Sequence, residues 1–251
     1  MFTEEDVTFI QNLCDNNPDV QHLVHRYEEE HHMMLSHITH EIRNPLTLVC
    51  STLQLIAKKN PAIVAMDYWK QLDTNVQDMI SLLDTLSNYT HCETLHKSNV
   101  DLLVLLTDLK IGFQSLAEVK GATLTLKVTN NSRKYITSYY CDYIKIKQVL
   151  TNIIKNALEA VNYGGCIHLT ADADKHSDQQ SYLQIIISNN GDCIPAEDIT
   201  KIFNPFVTNK SYGTGLGLSI ASKIIMSHGG LIQVSSSEEL TSFNILLPYQ
   251  C

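Results

Sequence analysis

The chain has 251 residues, a formal net charge of -9 and 44% hydrophobic residues, enough for one large or two modest globular domains with ordinary cores. The acidic balance argues against nonspecific nucleic-acid binding, and seven scattered cysteines, an odd number with no CxxC pair, fit reduced thiols better than a disulfide frame or a zinc site. No apolar run approaches the ~20 residues of a bilayer span and the acidic start Met1-Phe2-Thr3-Glu4-Glu5-Asp6 is unlike a secretion signal, so a cytoplasmic location without a membrane span is expected.

Residues 1–19 read as a short polar segment, too small for a sensor domain, that ends at Asn16-Asn17-Pro18. From Val20 the pattern is helical, with apolar residues at Leu35, Ile38, Ile42, Val49 and Ile56 close to a coiled-coil seam. It stops at Lys59-Asn60-Pro61, because the residue before a proline is pushed out of the helical region. A second helix carries the cleaner seam Trp69, Leu72, Val76, Met79, Leu83 and Leu86. Residues 20–91 are thus expected to form an antiparallel hairpin. One hairpin leaves much of such a seam in water, and pairing two into a four-helix bundle buries it, so a homodimer is expected.

Residues 92–99 break the heptads and read as a linker. Residues 100–251 have a different texture. Helices are expected over Leu102 to Val119, Asp142 to Val161 and Ser219 to Ser227, and strands over Ala122 to Val128, Tyr135 to Tyr139, Ile167 to Ala171, Tyr182 to Ser188, Leu231 to Ser235 and Phe243 to Leu247. That order predicts an α+β multidomain chain whose second part is a sandwich of a mixed sheet with helices on one face.

Five stretches carry chemistry. The run Ser36 to Thr47 places a histidine, a carboxylate and an amide within one helical turn, at His40, Glu41 and Asn44. His40 falls between seam positions and points outward as a candidate nucleophile, and Pro45, which cannot donate to the carbonyl of Glu41, should weaken the helix just beyond it. The nearby His31, His32 and His37 suggest a zinc peptidase, but the HExxH pattern fails at Asn44, where a histidine is required. Asn152 and Asn156 share one helix face four residues apart. Amide oxygens are hard neutral ligands suited to Mg²⁺ when phosphates supply the charge, although the same pair reads equally as two surface asparagines. Gly213-Thr214-Gly215-Leu216-Gly217 opens a helix and suits phosphate, yet it lacks both the dinucleotide spacing and the P-loop Lys-Ser/Thr ending, and a flexible turn stays open. Asn189-Asn190-Gly191 follows an apolar strand, where a polar side chain can reach a base edge or simply form a turn. Phe203 and Phe206 could anchor a lid that carries Lys210 toward phosphate, or be plain core residues.

Taken together and in this order, the motifs resemble the catalytic core of a two-component sensor histidine kinase over about residues 20–250. His40-Glu41-Ile42-Arg43-Asn44-Pro45-Leu46-Thr47 is similar to the family's H box, Asn152 to Ala160 to its N box, Asn189 to Ile194 to its first glycine box, Phe203 to Phe206 to its F box and Gly213 to Leu218 to its second. The resemblance implies a dimeric hairpin carrying the histidine, followed by a Bergerat-type ATP-binding domain like that of gyrase and certain heat-shock chaperones. It implies phosphoryl transfer from Mg-ATP to His40 with Glu41 as general base, Asn156 on Mg²⁺ with Asn152 beside it, and Gly213 to Gly217 around the phosphates. The phosphoryl group would then pass to the receiver domain of a response regulator, which Asn44 would help to dephosphorylate. Two departures stand out. Asn189 occupies the place of an aspartate that accepts from the adenine amino group, and Cys193 that of a glycine. If Cys193 required positive φ, it would be strained by on the order of 1–2 kcal/mol. The rival reading is a degenerate kinase acting as a phosphotransferase or scaffold without ATP turnover.

Overall fold

Asn17 caps the helix that begins at Pro18. Its side-chain oxygen accepts from the backbone N–H of Asp19 at 3.1 Å and of Val20 at 3.4 Å, and Pro18 fills the first helical position, where no donor is needed. The computed structural model describes residues 13, 17–90, 94–129, 133–175, 181–208 and 213–249, and the chain falls into two compact units, residues 1–90 and 91–251. Most of the segment 1–19, three residues around the linker, and Lys210 lie outside the described residues.

In the first unit, α1 (Pro18–Lys59) and α2 (Asp67–Thr90) are joined by a 3₁₀ turn at Pro61–Ala65. Lys58 and Lys59 sit in the last turn of α1, where positive charge complements the helix dipole. Leu46, Val76 and Leu83 form the buried core between the helices, with Cys50, Leu53 and Ile80 packed against it. The sequence-read stripe is therefore split. Ile38, Ile42, Val49 and Ile56 of α1 and Leu72 and Met79 of α2 remain between 37% and 52% exposed, because the contact to α2 uses the neighbouring stripe of Thr39, Leu46 and Leu53. A helix that meets a single partner buries a narrow stripe, and the rest of its apolar arc is left over. The helix also runs continuously through Pro45.

The second unit opens with β1 (Ser98–Val100), so Ser98 and Asn99, read from sequence as linker, pair with β3 (Tyr139–Cys141). Between them lie α3 (Leu102–Val119), β2 (Thr123–Val128) and the short α4 (Arg133–Ile136). The run expected as a strand at Tyr135 to Tyr139 is instead the end of α4, a bend and the start of β3. Ile136 turns fully into the core, and the Tyr139 hydroxyl donates to the Pro248 carbonyl at 2.8 Å. Then follow α5 (Tyr143–Ala160), β4 (Cys166–Lys175), β5 (Ser181–Asn189), α6 (Ala196–Ile199), α7 (Gly217–Ser227), β6 (Leu231–Ser236) and β7 (Thr241–Tyr249). The main sheet has the order β2-β4-β5-β7-β6, parallel only between β2 and β4.

Alternation along the strands makes one apolar face: Ile167 and Leu169 on β4, Leu183, Ile185 and Ile187 on β5, Phe243, Ile245 and Leu247 on β7 are buried. The apolar sides of α3, α5 and α7 cover it, with Leu105, Leu106, Leu150, Ile153, Ile154 and Ile224 almost fully buried. A staple locks this layer. The backbone N–H of Asp142 donates to His228 Nε2 at 3.1 Å, and Nδ1 of the same ring lies 2.8 Å from the Ile224 carbonyl. The Asp142 carboxylate accepts from the backbone of His96 at 2.8 Å and of Lys145 at 3.1 Å, capping α5.

Candidate nucleotide site and histidine helix

On α1, Thr39 is 1% exposed and its hydroxyl donates to the Leu35 carbonyl at 2.7 Å. One residue on, about 100° around the helix, His40 stands in solvent. Arg43 forms an ion pair with Asp84 of α2 at 2.8 Å, which fixes this turn against the second helix. Glu41 does not meet His40: its carboxylate lies 3.7 Å from His37 Nε2, one turn back. Asn44 is exposed on the next turn, and the Thr47 hydroxyl donates to the Arg43 carbonyl at 2.8 Å beside Pro45.

In the second unit, several expected motifs meet at one end of the sheet. Asn152 on α5 donates through Nδ2 to the Gly217 carbonyl at 3.1 Å, which ties the asparagine helix to the start of α7. Such a bond contributes about 0.5–1.5 kcal/mol net, and here it also fixes the glycine loop beside Asn152. Asn156 is half-buried one turn further along α5. The loop is braced from within: Thr214 Oγ1 accepts from the Leu216 N–H at 3.2 Å, and the Ser219 hydroxyl donates to the Leu216 carbonyl at 2.9 Å.

Gly215 has φ of 65° and a Cβ there would lie 2.5 Å from the carbonyl carbon of Phe206, so glycine is required on both counts. Phe206 donates its N–H to the Gly215 carbonyl at 3.0 Å and itself has φ of 65°, the single non-glycine residue with positive φ among those described. An aromatic residue held there stores strain of order 1–3 kcal/mol, at the base of the segment that leads to Lys210. The proposed F box and second glycine box therefore share one backbone junction.

At the neighbouring strand end, Asn189 is 2% exposed and its Nδ2 has no hydrogen-bond partner among the described residues. Gly191 passes against the end of α5 so closely that a Cβ would lie 2.2 Å from the Ala160 oxygen. Cys193 is exposed and has no positive φ, so the strain considered for it is absent. Sequence reading missed Ser236 and Thr241. Thr241 stands directly opposite Asn189 on β7, its hydroxyl 2.6 Å from Ser236 Oγ, which accepts the Ile194 N–H at 2.9 Å. No local motif marks this pair; only sheet register brings it to Asn189.

The described donor set suits a cation whose charge is balanced by phosphates. Among the described residues no three His, Cys, Asp or Glu side chains cluster as metal ligands, and the half-buried Asn156 carries an amide oxygen, a neutral ligand type that suits such a cation.

A mixed sheet under three helices, with an asparagine helix facing a glycine loop, defines a nucleotide-binding α/β sandwich. Residues 141–250 match the family described as histidine kinase-, DNA gyrase B-, and HSP90-like ATPase. Sporulation kinase A of Bacillus subtilis (strain 168) is 30% identical over 214 residues, which cover 84% of this chain; the chain spans only 33% of that kinase. Full-length ShkA in complex with AMPPNP shares the fold with a TM-score of 0.73 at 22% identity, over 86% of this chain and 45% of that one. Histidine kinase ThkA in complex with the response regulator protein TrrA is similar over 87% of this chain and 61% of that one, at 26% identity and a TM-score of 0.59. The chain belongs to the sensor histidine kinases. Among its described residues no helix is long and apolar enough to cross a membrane.

Proposed function

We propose that residues 100–251 bind Mg-ATP and that its γ-phosphoryl group is transferred to His40 of the 20–91 hairpin, then to an aspartate of a response regulator. The observation that carries this reading is the junction of α5 with the glycine loop, where Asn152 holds Gly217 at 3.1 Å. It joins two individually ambiguous motifs at the N-terminus of an 11-residue helix, which supports reading them together as a phosphate site. Asn156 would hold Mg²⁺, which supplies charge neutralisation at the phosphates.

For attack, the Nε2 lone pair of His40 must be free and the ring proton must sit on Nδ1. The new bond joins Nε2 to the γ-phosphorus, the bond to the bridging oxygen breaks, and ADP leaves with the electron pair. The Nδ1 proton then passes to a base. Glu41, adjacent in sequence, is the proposed acceptor, which requires its carboxylate to leave His37 and swing toward His40. An amide at Asn152 cannot activate water, which favours transfer over hydrolysis.

The stripe of Ile38, Ile42, Val49 and Ile56, still 37–49% exposed in the single hairpin, supports pairing with a second copy. Asn44, exposed one turn beyond His40, is the proposed orienter of water in regulator dephosphorylation. The test is incubation with γ-labelled Mg-ATP. Wild type should become labelled, Asn156→Ala should lose about 100-fold or more of the rate as expected for a lost transition-state contact, and the label should move to a receiver domain. Unchanged labelling in Asn156→Ala would remove the metal role.

A further inference from the structure

Asn189 ends β5 on the face that carries Leu183, Ile185 and Ile187, between Ile167 of β4 and Thr241 of β7. The polar groups around it are engaged with each other. Thr241 pairs with Ser236, Ser236 takes the Ile194 N–H, and Asn190 Oδ1 takes the Cys166 N–H at 2.7 Å. The one nearby carboxylate among these loop residues, Asp192, is exposed and lies 3.4 Å from Asn162 Nδ2. Asn189 is left as a buried amide whose nitrogen has no partner among the described residues. Buried polar groups in folded proteins are almost always satisfied, so an orphan donor buried at the end of β5 marks a place where a ligand group would complete the pairing.

We propose that Asn189 sets nucleobase choice, and that this site accepts 6-oxopurine nucleotides, with guanine or hypoxanthine as the base, alongside adenine nucleotides. The inference rests on the nucleotide-binding reading above. A carboxylate at this position would only accept hydrogen bonds. It would favour an exocyclic amino group and repel an exocyclic carbonyl oxygen in the same place. An amide carries an acceptor and a donor side by side. In one orientation it accepts from the 6-amino group of adenine and donates to N1. Rotated by half a turn, it donates to O6 of a 6-oxopurine and accepts from N1–H. The rotation changes no charge, and no rotation turns a carboxylate into a donor. Neutrality acts in the same direction, because adenine loses the charge-assisted bond that would set it above its competitors.

The test is displacement of a ribose-labelled fluorescent ADP from the whole chain, in Mg²⁺ buffer, by ADP, GDP and IDP. In wild type, GDP and IDP should compete within about tenfold of ADP, since a bidentate amide pairs with either edge. Asn189→Asp should shift the ratio toward ADP by about tenfold or more, the scale of one mismatched polar contact. A wild-type preference for ADP above about 100-fold, or an ADP-to-GDP ratio unchanged in Asn189→Asp, overturns the proposal. Should Asn189→Asp fail to fold, the wild-type ratio decides alone. Failure of the underlying reading is distinguishable: then none of the three diphosphates binds wild type, and the proposal falls with it.

Discussion

Gly191→Ala and Gly217→Ala make a paired experiment, because both glycines lie in motifs read as nucleotide-binding but only one is sterically obligatory. A methyl group on Gly191 would sit 2.2 Å from the Ala160 oxygen, 2.4 Å from its carbonyl carbon and 2.7 Å from the Val161 nitrogen. All three are backbone atoms at the end of α5. Relief requires the β5 end and α5 to part by roughly 1 Å, which breaks the 3.1 Å bond from the Asp192 N–H to the Ala160 carbonyl. Overpacking of this kind costs about 1–3 kcal/mol and the lost bond about 1 kcal/mol more, together about 2–4 kcal/mol. For a unit of this size, that lowers Tm by about 5–15 °C. Because Asn189 is two residues upstream, nucleotide affinity should fall with it. By contrast, a methyl on Gly217 meets nothing closer than Asn152 Nδ2 at 3.7 Å, so Gly217→Ala should leave Tm within about 1 °C. Thermal unfolding of both variants, followed by nucleotide titration, measures this. A Gly191→Ala protein as stable as wild type with unchanged affinity would refute the close approach of α5 to the strand end.

Three further outcomes are expected. Burial holds the His228 imidazole below its ordinary value near 6.5, with Lys97 adding to the depression against the opposing Ile224 hydrogen bond and Asp142 charge. The unfolded chain then takes up the proton first, so this contribution to stability is complete above about pH 6.5 and is lost as pH falls from there, at up to about 1.4 kcal/mol per pH unit. Urea titrations at pH 7.5 and 5.5 should show the loss in wild type and not in His228→Gln; equal slopes would deny it. Ile42→Glu combined with Val49→Glu places charge on the exposed stripe and should convert the proposed dimer to monomer in sedimentation while leaving the hairpin helical, since both residues lie outside the Leu46, Val76 and Leu83 core. Arg43→Ala removes a half-exposed ion pair and should cost less than about 1 kcal/mol, read by the same urea titration.

The sequence disclosed those parts of the molecule that local pattern dictates. The face of α5 that carries Asn152 and Asn156, the strand into Asn189 and the glycine opening of α7 follow from periodicity and from residue types with few alternative uses. It misled where several structures share one pattern. Tyr135 to Tyr139 has strand-forming residues, but Ile136 is drawn into the core as the end of a helical turn, and pairing with β1 fixes a strand only from Tyr139. The apolar arc of α1 exceeds what one partner helix covers, so the sequence could not say whether Ile42 or Leu46 faces α2. Glu41 turned toward His37, because at i and i+4 those two side chains lie on one helix face, whereas residues i and i+1 diverge. Thr241 and Ser236 were invisible for a different reason: their place beside Asn189 exists only after three strands have paired.

The proposed transfer leaves the γ-phosphoryl group of ATP on the ring of His40. It is tested most directly by locating the label after incubation with γ-labelled Mg-ATP, using peptide mapping at neutral to alkaline pH and the His40→Gln variant in parallel. The expected result is acid-labile label on the peptide containing His40 and none in His40→Gln. Label on another residue, or label that persists in His40→Gln, would contradict it.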